Sequence, residues 1–260
     1  MALRLDKYLA EVGVGTRSEV KKLIKAKLIT VNGVTAAKPE MKVDEQRDEV
    51  CLRGEKLSYA VFEYYLFHKP AGCVSATEDN LHETVMDYLT DTLRSDLFPV
   101  GRLDIDTEGL LLITNDGALA HELLSPAKHV AKTYYAKVLG KVTAEDVSLF
   151  EAGVDIGEDK LTKPAKLVVL RNDMTLAETA VDGLAEREDV TETSIFSEIE
   201  LTITEGKFHQ VKRMFQAVGK EVVYLKRLSM GSLTLPSDLK PGEYRALNEE
   251  ELAELRCCNG

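Results

Sequence analysis

Four carboxylates cluster near the middle of this 260-residue chain, at Asp104, Asp106, Glu108 and Asp116. Three of them alternate within Gly101-Arg102-Leu103-Asp104-Ile105-Asp106-Thr107-Glu108-Gly109. Acids at such spacing could hold a metal, serve a phosphohydrolase or attack an electrophile. A D-x-D-x-T phosphatase loop, however, follows an apolar strand and carries Thr four residues after its first Asp. Here Pro99-Val100-Gly101-Arg102-Leu103 precedes Asp104, and Thr107 comes three residues after it. The five histidines include no His-x-x-x-His pair, so the helical zinc-hydrolase arrangement is unsupported. Spacing alone favours a polar loop whose Asp side chains cap nearby amides.

The elements around that loop follow from local pattern. Leu110-Leu111-Leu112-Ile113 is short, apolar on both faces and stopped by Asn115-Asp116-Gly117, which reads as a buried strand with a helix over 118–124 behind it. Asp104 therefore sits in a glycine-bounded loop just before a core strand. Tyr64 to Phe67 reads as a strand entering the turn Lys69-Pro70-Ala71-Gly72, and residues 82–94 have helical spacing. Residues 133–139 form a further strand, with Tyr134, Ala136 and Val138 on one face. Ile199, Leu201 and Ile203 alternate as in a half-buried strand. The period then changes: Val211, Met214, Phe215 and Val218 recur at helical spacing before Gly219, making Glu205-Gly206-Lys207-Phe208 a strand-to-helix turn. Residues 172–194 are acid-rich and aperiodic, which predicts a surface insertion with at most one short helix.

The N-terminal stretch differs. Leu5, Tyr8, Leu9 and Val12 make the apolar stripe of a short helix ended by Gly13. Thr16-Arg17-Ser18-Glu19 has the form of a capping box and opens a second helix, with Val20, Leu23 and Ile24 inward and Lys21, Lys22 and Lys25 on the opposite side. Leu28-Ile29-Thr30-Val31, then Asn32-Gly33 and Val34, reads as a hairpin with a type I′ turn. One strand candidate, 49–52, lies in the mixed-charge stretch from Lys38 to Lys56, and a domain boundary is expected near residue 60. The net charge of −11 is uneven: residues 1–38 hold eight Lys or Arg against three acids, a balance of +5, which leaves −16 for the rest. That asymmetry predicts a small module for an anionic ligand joined to an acidic body.

Composition adds bounds. With 44% hydrophobic and 30% charged residues, the chain should fold as a globular protein without help from metal or disulfide. Cys51, Cys73, Cys257 and Cys258 show no C-x-x-C spacing and are expected to be reduced thiols. Apolar runs such as Leu110–Ile113 fall far short of the roughly 20 residues of a membrane span, and no signal-peptide core opens the chain, so a cytoplasmic protein without membrane contact is expected.

The Gly101-to-Gly117 stretch, with Gly101-Arg102-Leu103-Asp104, Thr107, Gly109 and the following Leu-Leu-Leu-Ile-Thr-Asn-Asp-Gly, resembles the signature motif of the RsuA-type ribosomal pseudouridine synthases. Lys69-Pro70-Ala71-Gly72 resembles their first motif, Lys132-Thr133-Tyr134 their K-x-Y motif, and Glu205 to Met214 their last. All four occur in order across residues 60–250. The basic N-terminal stretch, with Arg4-Leu5-Asp6-Lys7, Ser18 and Val31-Asn32-Gly33, resembles an S4 RNA-binding domain.

The resemblance implies an α+β protein: an S4-like α/β domain at 1–59, then a synthase domain at 60–260 with a mostly antiparallel mixed sheet and flanking helices. It implies isomerisation of uridine to pseudouridine in ribosomal RNA, at uridine 516 of 16S RNA, by a monomer acting on RNA or the assembling small subunit. No cofactor or metal is implied. A 23S target and a non-catalytic assembly factor are the alternatives. Asp104 would be the nucleophile or charge partner, Tyr134 would stack on the target uracil, and Arg102 would fill the space the base leaves or bind a phosphate. A carboxylate suits the first role because it is ionised at neutral pH without assistance. The basic partner of Asp104 is either Lys212 or Arg213. These lie about 100° apart on a helix, and register favours Lys212. Arg4, Lys7, Arg17, Lys21, Lys22 and Lys25 are the expected phosphate contacts.

Overall fold

Thr16 starts the second helix of the chain as a capping box: its amide donates to Glu19 Oε2 at 2.8 Å, and the Glu19 amide donates back to Thr16 Oγ1 at 3.4 Å. The computed structural model describes residues 2–45, 47–57 and 62–257. Within them the chain divides into two units, one of residues 1–64 with 89–98 and 114–116, the other of 65–88, 99–113 and 117–260. The expected boundary near residue 60 and Cys258 lie outside the described residues.

In the first unit, β1 (Ala2–Arg4) leads into α1 (Leu5–Glu11) and α2 (Arg17–Lys25), and β2 (Ile29–Val31) turns into β3 (Val34–Thr35). Asn32 and Gly33 both have positive φ at that hairpin, 52° and 77°, as the Asn-Gly pair predicts. β4 (Lys42–Asp44) pairs with β1, and β2 also pairs with β5 (Val50–Leu52), which pairs with β6 (Glu55–Lys56). The sequence predicts one strand in this stretch where the fold has three, because strands of two or three residues are too short to show a period. Leu5, Tyr8, Leu9, Val20, Ile24, Ile29 and Val50 form the core, which leaves Lys21, Lys22 and Lys25 exposed.

The helix expected over 82–94 does not form. Only a 3-10 turn at Val85–Tyr88 is helical. Further along, the amides of Leu93 and Arg94 donate to the Glu63 carboxylate, and Ser95 Oγ donates to the Ala10 carbonyl at 3.1 Å. The buried Arg94 guanidinium reaches Asp96 at 2.6 Å and Glu11 at 3.3 Å. The Glu63 carboxylate, distant in sequence, thus takes two backbone donors at the end of the expected helix.

The second unit is built on a sheet in the order β11-β12-β10-β13-β9-β7-β15, of β7 (Tyr64–Lys69), β9 (Glu108–Thr114), β10 (Lys132–Leu139), β11 (Lys166–Met174), β12 (Phe196–Ile203), β13 (Glu221–Met230) and β15 (Tyr244–Ala246). Two short strands join it, β8 (Phe98–Pro99) on β9 and β14 (Leu233–Thr234) on β13. β13 and β9 run parallel, whereas β11–β12, β12–β10, β10–β13, β13–β14 and β7–β15 are antiparallel. The mostly antiparallel mixed sheet with flanking helices is as expected.

Helices α3 (Gly117–Leu124), α4 (Ala144–Ala152), α6 (Gln210–Ala217) and α7 (Glu249–Cys257) flank it. β10 alternates strictly between buried and half-buried, so Tyr134, Ala136 and Val138 pack with Phe150, Met214 and Phe215 of α4 and α6. Residues 172–194 finish β11 and contain α5 (Leu176–Thr179) and a 3-10 turn at Leu184–Glu186. Met174, Leu184 and Val190 close over Phe196 in a small core of their own. Among the described residues no helix is long and apolar enough to cross a membrane.

Candidate active site

The loop between β8 and β9 that carries Asp104 is held by a second loop, residues 69–75. The Lys69 ammonium, fully buried at the end of β7, donates to the carbonyls of Thr107 at 2.9 Å, Ile105 at 3.3 Å and Pro70 at 2.9 Å. Burial pulls its pKa below the usual lysine range. The Gly72 amide donates to the Ile105 carbonyl at 2.7 Å. Ser75 Oγ brackets Leu103, donating to its carbonyl and accepting from its amide, both at 3.0 Å. The loop closes on itself where the Thr107 amide donates to the Asp104 carbonyl at 3.1 Å.

At its far end the loop enters β9 through Gly109, whose φ is +107° and whose register partner is Arg227 on β13. A Cβ at Gly109 would lie 2.3 Å from the Arg227 carbonyl oxygen, so only glycine allows this strand contact.

So held, the Asp104 side chain is 27% exposed and lies between two basic groups of the α6 turn. His209 Nε2 stands 3.5 Å from Oδ1, and Lys212 Nζ stands 3.4 Å from Oδ2. Lys212 also donates to both oxygens of Asp106, at 2.6 and 2.7 Å. Arg213 points elsewhere: Nη1 donates to Glu158 at 2.9 Å and to the Phe208 carbonyl at 3.1 Å, and Nη2 donates to the Ile156 carbonyl. One residue of helical rotation thus separates a lysine at the carboxylate from an arginine that ties down the turn.

The remaining acids are otherwise engaged. Glu108 accepts from the Tyr224 hydroxyl at 2.7 Å, and burial, then this carboxylate, push the Tyr224 phenol above its usual range. Asp116 accepts from the Tyr64 hydroxyl at 2.8 Å. Among the described residues no three His, Cys, Asp or Glu side chains come together as a metal site.

Tyr134 is 8% exposed and belongs to the same packed cluster as Leu103, the neighbour of Asp104. Arg102 is exposed and, among the described residues, forms no ion pair. In the first unit, Arg4 is held by Asp6 at 2.8 Å and Glu40 at 3.5 Å, and Lys7 pairs with Glu11 at 3.5 Å. Arg17, Lys21, Lys22 and Lys25 are exposed on α2 without an ion pair among the described residues.

Sequence reasoning assigned no role to His209, Ser75, Lys69, Lys132 or Arg227. Lys132 and Arg227 are both buried on the Tyr134 face of the sheet, and Arg227 faces Tyr134 across the strand pair. Arg227 Nε donates to the Leu110 carbonyl at 2.7 Å, while its Nη2 is buried without a hydrogen-bond partner among the described residues. Lys132 Nζ donates to the Val130 carbonyl at 3.2 Å; burial, and then the Arg227 charge, bring its pKa down to about 8. A signal did exist, since Lys132 and Arg227 are cations at apolar-phase positions of alternating strands. It does not reveal what they touch.

The family described as RNA pseudouridylate synthase matches residues 63–217, and the S4 domain matches residues 3–50. A Bacillus subtilis protein described as an RNA pseudouridine synthase, YtzG, is 49% identical over 251 residues, covering 96% of this chain and 97% of its own length. The ribosomal small subunit pseudouridine synthase A of Escherichia coli K12 is 37% identical over 255 residues, covering 97% and 100%. A crystal structure described as a pseudouridylate synthase superposes with a TM-score of 0.62 at 34% identity, covering 97% of this chain and 99% of that one.

Proposed function

Since the chain belongs to the RNA pseudouridylate synthase family, with an S4 domain at its N-terminus, we propose that it isomerises uridine 516 of 16S ribosomal RNA through the Asp104 carboxylate. It is an isomerase acting on RNA. The observation that carries the role of Asp104 is its setting. A partly exposed carboxylate stands between His209 and Lys212 on a loop pinned by Lys69 and Ser75, so it is held in place by basic side chains and still open to a substrate.

With the target uridine flipped out of the stack, Asp104 attacks C1′ or stabilises the positive charge that develops there as the N1–C1′ bond breaks. The freed uracil anion turns, and its C5 forms the new bond to C1′ as the carboxylate leaves. The C5 proton is lost and N1 gains one, so the product has the atoms of the substrate. Tyr134 stacks on the uracil and takes part in the exchange at C5. Lys212 orients Asp104, and Arg102 fills the space the base leaves or binds a neighbouring phosphate. The α2 face of Arg17, Lys21, Lys22 and Lys25, with Arg4 and Lys7 beside it, contacts phosphates and so positions the RNA without reading its sequence. The enzyme acts in the cytoplasm as a monomer, on 16S RNA or the assembling small subunit.

The test is tritium release from C5-labelled uridine in 16S and 23S transcripts and pre-subunit particles, with wild type beside Asp104→Ala. Release from 16S RNA by wild type alone is expected. Activity in the variant would remove Asp104 from the mechanism, and turnover on 23S RNA only would overturn the substrate.

A further inference from the structure

Phe208 is 72% exposed, an unusual position for a phenyl ring next to a packed core. The ring is not loosely held. It stacks on the His209 imidazole with centroids 3.8 Å apart and planes 18° from parallel, and the same imidazole reaches Asp104 at 3.5 Å. An open aromatic face therefore lies one ring beyond the reactive carboxylate.

The turn presenting the pair is both strained and clamped. His209 has φ 47° and ψ 36°, a left-handed conformation that residues with a Cβ adopt only at a cost. Arg213 holds the Phe208 carbonyl at 3.1 Å and Glu158 at 2.9 Å, and Lys207 grips Glu158 at 3.1 Å from the other side. The Lys207 amide donates to Gln210 Oε1 at 2.9 Å, and Gln210 Nε2 donates to Glu205 at 3.0 Å. Strain held in this way, with an apolar ring kept in water, points to a ligand.

The ligand's chemistry follows from the face and its location. A flat, rigid, apolar surface beside basic groups suits an unstacked nucleobase, which any aromatic ring can receive through its π-face. Extrusion of the target uridine exposes the bases on either side of it. We infer that the Phe208–His209 pair is a stacking platform for the nucleobase flanking the target uridine, fixing where the strand lies relative to Asp104. This rests on the synthase reading above.

The test uses the full chain, and an RNA fragment from whichever of 16S and 23S the wild type modifies. Dissociation constants are compared for wild type, Phe208→Ala, Phe208→Leu and Phe208→Tyr. The fragments are unaltered or carry a single abasic nucleotide at the target, 5′ of it or 3′ of it. Phe208→Ala should weaken binding to the unaltered fragment roughly 5- to 150-fold, the range spanned by one base stacked on an aromatic ring. Phe208→Tyr should restore it and Phe208→Leu should not. The Phe208→Ala penalty should shrink to within about twofold on one of the two flanking abasic fragments. Unchanged melting of the variants excludes misfolding. A penalty that persists on every abasic fragment, that vanishes only when the target base is absent, or that never appears overturns the platform and leaves the synthase reading in place. Wild type that modifies neither RNA overturns both.

Discussion

Gly109→Ala is the sharpest single-atom perturbation of the candidate site. The added Cβ would lie 2.3 Å from the Arg227 carbonyl oxygen and 2.6 Å from its amide nitrogen, at a φ of +107° that L side chains rarely adopt. The neighbouring atoms are backbone of the adjacent strand, so they cannot rotate away. Overpacking of this kind costs about 1–3 kcal/mol, and the left-handed backbone adds roughly 1–2 kcal/mol. The smaller entropy of the unfolded alanine chain offsets ~0.4–1 kcal/mol, so at mid-range values the net loss is about 3 kcal/mol. At roughly 2–4 °C per kcal/mol for a chain near this size, the melting midpoint should fall by about 6–12 °C.

The strain falls on the parallel pairing of β13 with β9, Lys226 with Glu108 and Arg227 with Gly109, at the exit of the Asp104 loop. Turnover at temperatures where the variant remains folded should therefore fall as well. Gly117→Ala is the internal control: its Cβ meets nothing within 4 Å and its φ is not positive. Thermal unfolding followed by circular dichroism, alongside tritium release, is the assay. A Gly109→Ala midpoint within about 2 °C of wild type, or equal to that of Gly117→Ala, would refute the close-approach argument.

Three further perturbations address the charges. Lys132 is depressed to about 8 by burial and Arg227, against an ordinary 10.5; below 8 both states are protonated and the folded state carries the full cost, and between 8 and 10.5 the unfolded chain holds more protons, so stability rises with pH. Replacement by Met should remove this rise and stabilise the protein near pH 7 by up to ~3 kcal/mol, read as wild type minus variant in urea titrations at several pH values; parallel curves would show that the cation carries no such cost. Lys212→Ala should lower kcat roughly 10²-fold by releasing Asp104 and Asp106, whereas Arg213→Ala should act mainly on KM through the Phe208 turn; steady-state kinetics with the larger kcat loss in Arg213→Ala would reverse the assignment. Lys21→Ala, Lys22→Ala and Lys25→Ala together should weaken RNA binding and flatten its logarithmic salt dependence by roughly 2–3, and an unchanged slope would show that α2 is not the phosphate contact.

What local pattern can encode was legible in the chain. The capping box at Thr16, the Asn32-Gly33 hairpin, the buried run Leu110–Ile113, the alternation of β10 and β12 and the start of α6 all depend on neighbours within a few residues, and each formed. The position of Asp104 in a glycine-bounded loop ahead of a core strand was legible for the same reason, and so was the divergence of Lys212 from Arg213, which one residue of helical rotation imposes. The failures have a physical cause as well. Residues 82–94 have helical spacing, but Glu63 takes the Leu93 and Arg94 amides. The strands β4 and β6 are too short to show a period.

Only the tertiary structure decided what surrounds Asp104. Lys69 lies 38 positions from the Thr107 carbonyl it holds, and Lys212 lies 106 positions from the Asp106 carboxylate it shares with Asp104. It also decided that His209 reaches Asp104, that Arg213 turns to Glu158, and that Phe208 is left open to solvent. Hydrogen bonds and ion pairs act over about 3 Å of space and are indifferent to separation along the chain. No period or turn signal carries that information; it exists once the sheet has brought β7, β9 and the α6 turn together.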